Sequence, residues 1–423
     1  MRSLSSITAV ILIIIAIVAV AGIFYNMYNI LNNKLSNTYL IKIYNTQNIS
    51  TPKPFQQDIA ICNGNVNIGS NFAYIDNATL FNEIDSNGQN VYFTTTCNST
   101  PNIYSWYEGQ LNYNGVRCDV WWINLSNGVP ANLNITIYMY IGPTSSNYYS
   151  QYYPYVGVSP QVISGYDNGN YTFIAYGYFN NTFDGWNGYV YSGSFSPTAT
   201  PYGIEMLNDQ GSEGTYILPP NNWNIPKIPL IVEEAWYDKG LITYFIHRKI
   251  FVNADSNVIS LFGNTSQQLN AGNIGFVFGV YTPTSNLSTF VQFDYYYGIT
   301  FLAFALSNSI LGILSSASFP TSGGTFYSYL LVNSSYAQAG YYYYSSNQVL
   351  VPLTLLDMYP LSYNPNYGNY TYSTLNYNPF QYPTLEIGAG TGGFYTSYQY
   401  IEWVVARAYP PNAIMPSIYI GVI

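Results

Sequence analysis

From Tyr39 onward, short stretches of alternating or β-branched and aromatic residues follow one another along the chain. Runs of this kind predict strands at Tyr39–Tyr44, Phe55–Cys62, Cys118–Leu125 and Asn134–Ile141. Further on they predict strands at Tyr171–Phe179, Leu241–Val252, Ile274–Tyr281, Phe290–Ile299, Phe326–Val332 and Tyr400–Tyr409. Asn-Gly, Gly-Gly and Pro clusters punctuate the intervals as turns. Phe301–Leu314 fits either a helix or a buried strand. One segment breaks the pattern: Ile7 to Tyr25 is an uninterrupted apolar run behind a single positive charge, Arg2.

At about 1.5 Å per helical residue that run reaches roughly 28 Å, the thickness of a hydrocarbon core. Arg2 before it places the N-terminus in the cytoplasm and the body outside. Met27, Ile30, Leu31 and Leu35 continue a helical stripe outward as a stem; a short linker is the other reading. Three readings of the apolar run stay open. It is a permanent signal-anchor, or a secretory signal cleaved at Ala19-Val20-Ala21, or a pilin-type leader. Met1-Arg2-Ser3 followed by Leu4-Ser5-Ser6-Ile7 resembles archaeal type IV prepilins. The resemblance implies cleavage between Ser3 and Leu4 and a helix, residues 4–36, packed into a filament core.

Composition sharpens the picture of an exported surface protein. Charged residues are 7% of the 423, hydrophobic ones 48%, and Tyr alone supplies 49 positions. A chain with 10 Lys+Arg and 19 Asp+Glu has few ion pairs to lose when carboxylates neutralise in acid. An extracellular acid habitat follows, with the formal charge of −9 at neutral pH reversing sign there. No basic cluster exists, so a nucleic-acid partner is excluded. N-glycosylation acceptors are dense: Asn48, Asn77, Asn98, Asn124, Asn134, Asn170, Asn180, Asn264, Asn286, Asn333 and Asn369 each open N-x-S/T. Of the three cysteines, Cys62, Cys97 and Cys118, two are expected to pair outside the cell. The short Cys97–Cys118 loop is the favoured closure. No Cys/His spacing suits a metal.

The expected order is a leader and membrane or pilin-like helix (1–36), a linker or short strand (37–50), and two β-sandwich domains (51–159 and 160–423). Tyr104-Ser105-Trp106-Tyr107-Glu108, Val120-Trp121-Trp122-Ile123-Asn124 and Ile135-Thr136-Ile137-Tyr138-Met139-Tyr140-Ile141-Gly142-Pro143 stand in sequence. Together they resemble a secreted β domain of unknown function that precedes lectin-like modules in prokaryotic surface proteins. The strand before them is kept only as Phe93-Thr94-Thr95-Thr96. Phe173 to Phe179, and Gly390-Thr391-Gly392-Gly393 with Tyr400 to Asn412, are similar to the ends of a concanavalin or laminin-G type jelly roll in archaeal surface proteins. That resemblance implies glycan binding.

Candidate chemistry is sparse. A glycoside hydrolase needs two carboxylates flanking one bond. Glu233 and Glu234 are adjacent and point to opposite faces of a strand, while Asp209 and Glu213 lie in a polar loop. Asp167-Asn168-Gly169-Asn170 and Asp184-Gly185 offer oxygens to calcium but read first as turns. His247, the only histidine, is flanked by strand residues. Gly388 to Gly393 matches G-x-G-x-x-G without the helix and acidic residue a dinucleotide requires. No cofactor is expected. Trp186, Trp223 and Trp236 sit beside Asn, Gly, Pro or acidic residues as candidate sugar platforms, with core packing as the alternative; Trp121, Trp122 and Trp403 are assigned to the core. Tyr295–Tyr297 and Tyr341–Tyr344 suit contacts with subunits or glycans.

The expectation is therefore a mainly β, non-enzymatic, surface-displayed adhesion or glycan-binding protein, anchored by residues 4–36. Its partners would be glycans, surface proteins or other copies of itself. A structural subunit of an archaeal pilus or viral envelope is the second reading, and a secreted glycan hydrolase the third.

Overall fold

A computed structural model describes residues 37–66, 73–113 and 115–207 apart from 193, and the strands from 213 to 408; it also describes 410–421. Side chains are described in the first part, at Ile217, at Tyr400 to Ala408 apart from Glu402, and beyond. For most strands between residues 206 and 399, backbone course and register are what it gives. The chain is mainly β, as its alternation predicts. Among the described residues no helix is long and apolar enough to cross a membrane. Ser3, Leu4 and nearly all of the segment 4–36 lie outside the described residues.

The first unit contains β1 (Asn37–Tyr44), β2 (Phe55–Cys62), β3 (Tyr74–Asp76), α1 (Ala78–Phe81) and β4 (Val91–Thr94). It continues through β5 (Ser105–Tyr113), β6 (Val116–Leu125), β7 (Asn134–Ile141), α2 (Tyr148–Tyr152) and β8 (Val156–Val158). Next come α3 (Gly169–Thr172), β9 (Ala175–Tyr178), β10 (Asn187–Ser192), β11 (Thr198–Thr200), β12 (Gly203–Leu207) and β13 (Glu213–Leu218). Then follow β14 (Leu230–Asp238), β15 (Phe245–Val252), β16 (Gly272–Val280), β17 (Leu287–Asp294), β18 (Ile299–Leu306) and β19 (Ser309–Ser318). The last are β20 (Gly324–Val332), β21 (Tyr336–Tyr344), β22 (Tyr370–Thr371), β23 (Glu386–Thr391), β24 (Gln399–Ala408) and β25 (Ser417–Gly421).

Two sheets make the first unit, ordered β25-β1-β7-β4 and β3-β2-β6-β5-β8. Ile41 and Ile43 of β1, Ile137 and Met139 of β7 and Phe93 of β4 meet Ile59, Ile61 and Trp121 of the other sheet in one buried core. Residues 37–50, expected as a linker or short strand, thus begin with a central strand. Ser417–Gly421, which the sequence assigns to the second unit, pairs with β1 through Ile418↔Ile43 and closes the first unit instead.

The second unit is built on sheets ordered β10-β13-β23-β15-β16-β17-β18-β19 and β11-β12-β24-β14-β20-β21-β22, with β9 also on β24. The ambiguous run Phe301–Leu314 falls on the β18–β19 hairpin.

The five-stranded sheet is covered on both faces. Trp121 faces the four-stranded sheet, edge-on to Phe93 at 6.1 Å. Trp122, pointing the other way, lies under the Arg407 guanidinium (5.2 Å) and beside Phe173. Its indole N–H donates to Glu108 Oε2 at 2.9 Å. Ala408 N donates to Gln56 Oε1 at 2.8 Å. The two units share one apolar core at this junction, since Trp403, Val405 and Ala408 belong to the same buried cluster.

Cys62 and Cys118 form the disulfide, not Cys97 and Cys118. They are facing partners in the β2–β6 ladder with Cα atoms 4.0 Å apart. Their side chains sit in a small cluster with Ala60, Val66 and Val120. Cys97 lies in the loop after β4, on the other sheet, with its thiol exposed.

Candidate functional site

The segment Asn147-Tyr148-Tyr149-Ser150-Gln151-Tyr152-Tyr153-Pro154-Tyr155 organises the surface with the strongest chemical character. Asn147 starts it by accepting Ser150 N on its side chain at 3.0 Å, which caps α2. One helical turn then sends tyrosines four residues apart to the same side. Tyr148 and Tyr152 meet Tyr92 at 5.0 and 5.4 Å between ring centres. Tyr92 in turn stacks flat on Tyr140 at 4.7 Å. Tyr149 and Tyr153 take the next side and flank Tyr166 at 6.0 and 6.3 Å. Tyr155 stacks on Tyr104 at 4.7 Å, and Tyr104 on Tyr171 at 5.2 Å.

The result is a belt of tyrosines whose last part is a three-ring stack, Tyr155, Tyr104, Tyr171. Its outer rings are open to solvent, Tyr155 at 39% and Tyr171 at 44%, with Tyr153 beside them at 47%. Most of the belt's inner rings are not: Tyr149 is fully buried and its hydroxyl donates to Asn87 O at 2.6 Å. Polar groups pin the exposed end. Tyr153 Oη donates to the Asp167 carbonyl at 3.0 Å, and Asn124 Nδ2 donates to the Tyr171 carbonyl at 3.0 Å. Asn168 Nδ2 donates to the Ser105 and Pro154 carbonyls. Burial pushes the Tyr104, Tyr148 and Tyr153 phenols above their ordinary value. The platform is a row of ring faces edged by hydroxyls and amides.

Under it sits Asp167. Its carboxylate accepts Trp106 Nε1 at 3.0 Å, Gly169 N at 3.1 Å and the Tyr176 hydroxyl at 2.8 Å. Burial holds this carboxyl up at about 6 against those three donors. The contacts fasten the five-stranded sheet to the start of the second unit, so the turn considered for calcium is a joint. Asp184, raised by burial, accepts Tyr178 N. Among the described residues no cluster of His, Cys, Asp and Glu could hold a metal.

Of the tryptophans expected to stack on sugars, Trp186 is buried. Its indole N–H donates to Tyr176 O at 3.0 Å and its ring lies edge-on to Phe179. Neighbouring Asn and Gly residues mark the turn around it, while the ring itself turns inward. Trp236 is on strand β14, paired with Phe326 and Ile401, rather than in a loop. Trp223 and Tyr295–Tyr297 lie outside the described residues. Tyr341–Tyr344 fall on β21, and His247 on β15 opposite Gly390. Glu233 and Glu234 are successive residues of β14. Trp121, Trp122 and Trp403 are core residues, as expected.

Among glycosylation acceptors, Asn48, Asn98, Asn134, Asn170 and Asn180 are exposed. Asn77 is half-buried and caps α1 with its side chain, and half-buried Asn124 is engaged by Tyr171. Asn264, Asn286, Asn333 and Asn369 lie outside the described residues. The tyrosine belt escaped the sequence reading because Tyr is everywhere in this chain. Its signal was the doubled four-residue spacing of Tyr148/Tyr152 and Tyr149/Tyr153 behind a capping Asn.

No family model matches the chain. An uncharacterized protein, 562, of Sulfolobus islandicus rod-shaped virus 1 is 27% identical over 391 residues, which cover 90% of this chain and 58% of the relative. The chain thus spans under two thirds of that relative's length. Similar solved structures include the VIP36 exoplasmic/lumenal domain in its Ca2+/Man2-bound form, at TM-score 0.33 and 11% identity over 53% of this chain and 81% of that one. Lectin II from Ulex europaeus scores 0.31 at 9% identity, covering 54% and 96%. The CBM2 module of the evolved Dit of Lactobacillus casei BL23 phage J-1 scores 0.31 at 9% identity, covering 59% and 96%. At these scores the likenesses assign nothing to this chain.

Proposed function

We propose that this chain is a non-enzymatic binding protein displayed outside a cell or virion, held by residues 4–36, whose tyrosine platform binds glycan on another surface. The observation that carries the reading is the exposed stack of Tyr155, Tyr104 and Tyr171. Neutral ring faces suit the C–H faces of a sugar, and the flanking hydroxyls and amides suit its hydroxyl groups. None of these contacts needs an ionised group, so binding persists in acid. The viral relative supports a viral source.

The test is a glycan array probed with the full chain at about pH 3, where its carboxylates are largely protonated. Tyr171→Ala is expected to weaken a captured glycan roughly tenfold, equivalent to about 1.4 kcal/mol. An array with no bound glycan, or binding unchanged in both Tyr171→Ala and Tyr155→Ala, overturns the proposal. A structural subunit of a filament or envelope is the second reading. The exposed rings of Tyr153, Tyr155 and Tyr171 support it, since tyrosine faces of this kind suit a contact with a neighbouring copy as well as a sugar. Assemblies that persist in the absence of glycan and dissolve on Tyr153→Ala would favour it.

A further inference from the structure

The outer face of the four-stranded sheet is a second aromatic surface, separate from the stack of Tyr155, Tyr104 and Tyr171. Alternation puts Ile41 and Ile43 inward and Lys42 outward on β1. Lys42 faces Thr136 of β7 on one side and Tyr419 of β25 on the other. Leu40 faces Tyr138, and Tyr44 faces Asn134. Lys42 is exposed, and Tyr419 is 54% exposed. Along these strands Lys42 is the sole charge on a face of rings and threonines.

Asn134-Ile135-Thr136 is an N-glycosylation acceptor lying within β7. A strand sends residues two apart to the same side, so the acceptor amide and the threonine hydroxyl both stand on this outer face. Asn134 is exposed, and its cross-strand partner Tyr44 has its Cβ roughly 5 Å away. We propose that Asn134 carries an N-linked glycan that lies along this face, its first sugar beside Tyr44 and its later ones over Thr136, Tyr138 and Tyr419. The glycan supplies what the sequence withholds there, a hydrated cover for aromatic surface with almost no charge. Asn124, whose Nδ2 donates to the Tyr171 carbonyl, and half-buried Asn77, whose Oδ1 caps α1, stay unmodified.

The experiment is glycopeptide mass spectrometry of the native protein, followed by tyrosine nitration of the intact chain. Sugar mass on Asn134, with Asn124 and Asn77 bare, is expected. Asn134→Gln and Thr136→Val each abolish the acceptor by a different change, and Thr136→Val keeps a β-branched residue in the strand. In both, nitration of Tyr44, Tyr138 and Tyr419 should rise several-fold while that of Tyr155 holds constant. An unmodified Asn134 in native protein overturns the proposal. So does equal nitration of the three tyrosines with and without the glycan. A self-associating native chain with bare Asn134 would make the face a contact between copies instead. These readouts do not involve glycan binding by Tyr171, so either proposal can fail alone.

Discussion

Trp186 illustrates how a residue's neighbours in sequence differ from its neighbours in space. Its flanks are Gly185 and Asn187, yet its ring is 3% exposed and its N–H is satisfied by a backbone carbonyl. Trp186→Ala is therefore expected to cost about 3–5 kcal/mol of stability by leaving a cavity, with glycan affinity per folded molecule unchanged. Denaturant unfolding of the variant alongside its binding curve checks both. The cysteines make the same point. Loop length favoured Cys97–Cys118, but covalent pairing follows the β2–β6 register, which sets Cys62 opposite Cys118.

At the scale of elements, what covers each face explains how each strand reads. Strand β7 alternates, with Ile137 and Met139 inward and half-buried Thr136 and Tyr138 outward, because among the described residues the outer face of its sheet is only partly covered. Strand β6 reads Val120-Trp121-Trp122-Ile123 without alternation because its sheet is covered on both sides, a pattern that follows from double burial. Both were legible as strands; that the second unit does the covering was not. Strand β25 depends wholly on the fold. It adds to β1 after the 372 residues from 45 to 416 and buries Ile418. Deleting residues 417–423 from the full chain should lower the melting temperature, since burying one Ile alone is worth about 1.5–3 kcal/mol. It should also strip hydrogen-exchange protection from alternate amides of Leu40 to Tyr44. Unchanged protection there would show that β1 does not need this partner.

For the whole molecule the telling property is the response to acid. Asp119 is 2% exposed, accepting the Tyr107 hydroxyl at 2.6 Å and Gln110 Nε2 at 3.4 Å. Burial lifts its carboxyl from an ordinary 3.8 to about 6, outweighing those two hydrogen bonds and the charge of Arg117. Folded and unfolded chains thus bind its proton differently between about pH 4 and 6. Above that window the ionised, buried carboxylate costs the fold on the order of 3 kcal/mol; below it the cost is gone. Asp167, at the junction of the two units, is shifted the same way. Stability should therefore rise as pH falls from 7 to about 4, and Asp119→Asn should narrow the difference. Denaturation midpoints at the two pH values decide it, and a protein more stable at pH 7 would contradict the acid reading.

Composition and alternation by themselves determined that this chain is mainly β, sparing of charge and built with tryptophan cores at Trp121, Trp122 and Trp403. Those properties depend on residue type and on contacts a few positions apart, which a sequence displays directly. Tertiary structure decided the disulfide partner, the inward turn of Trp186, the return of Ser417–Gly421 to β1 and the gathering of Tyr155, Tyr104 and Tyr171 into one stack. Apart from Trp186, whose partners Tyr176 and Phe179 lie within ten residues of it, each joins residues far apart in the chain, and their meeting depends on strand register and on which sheet faces are covered.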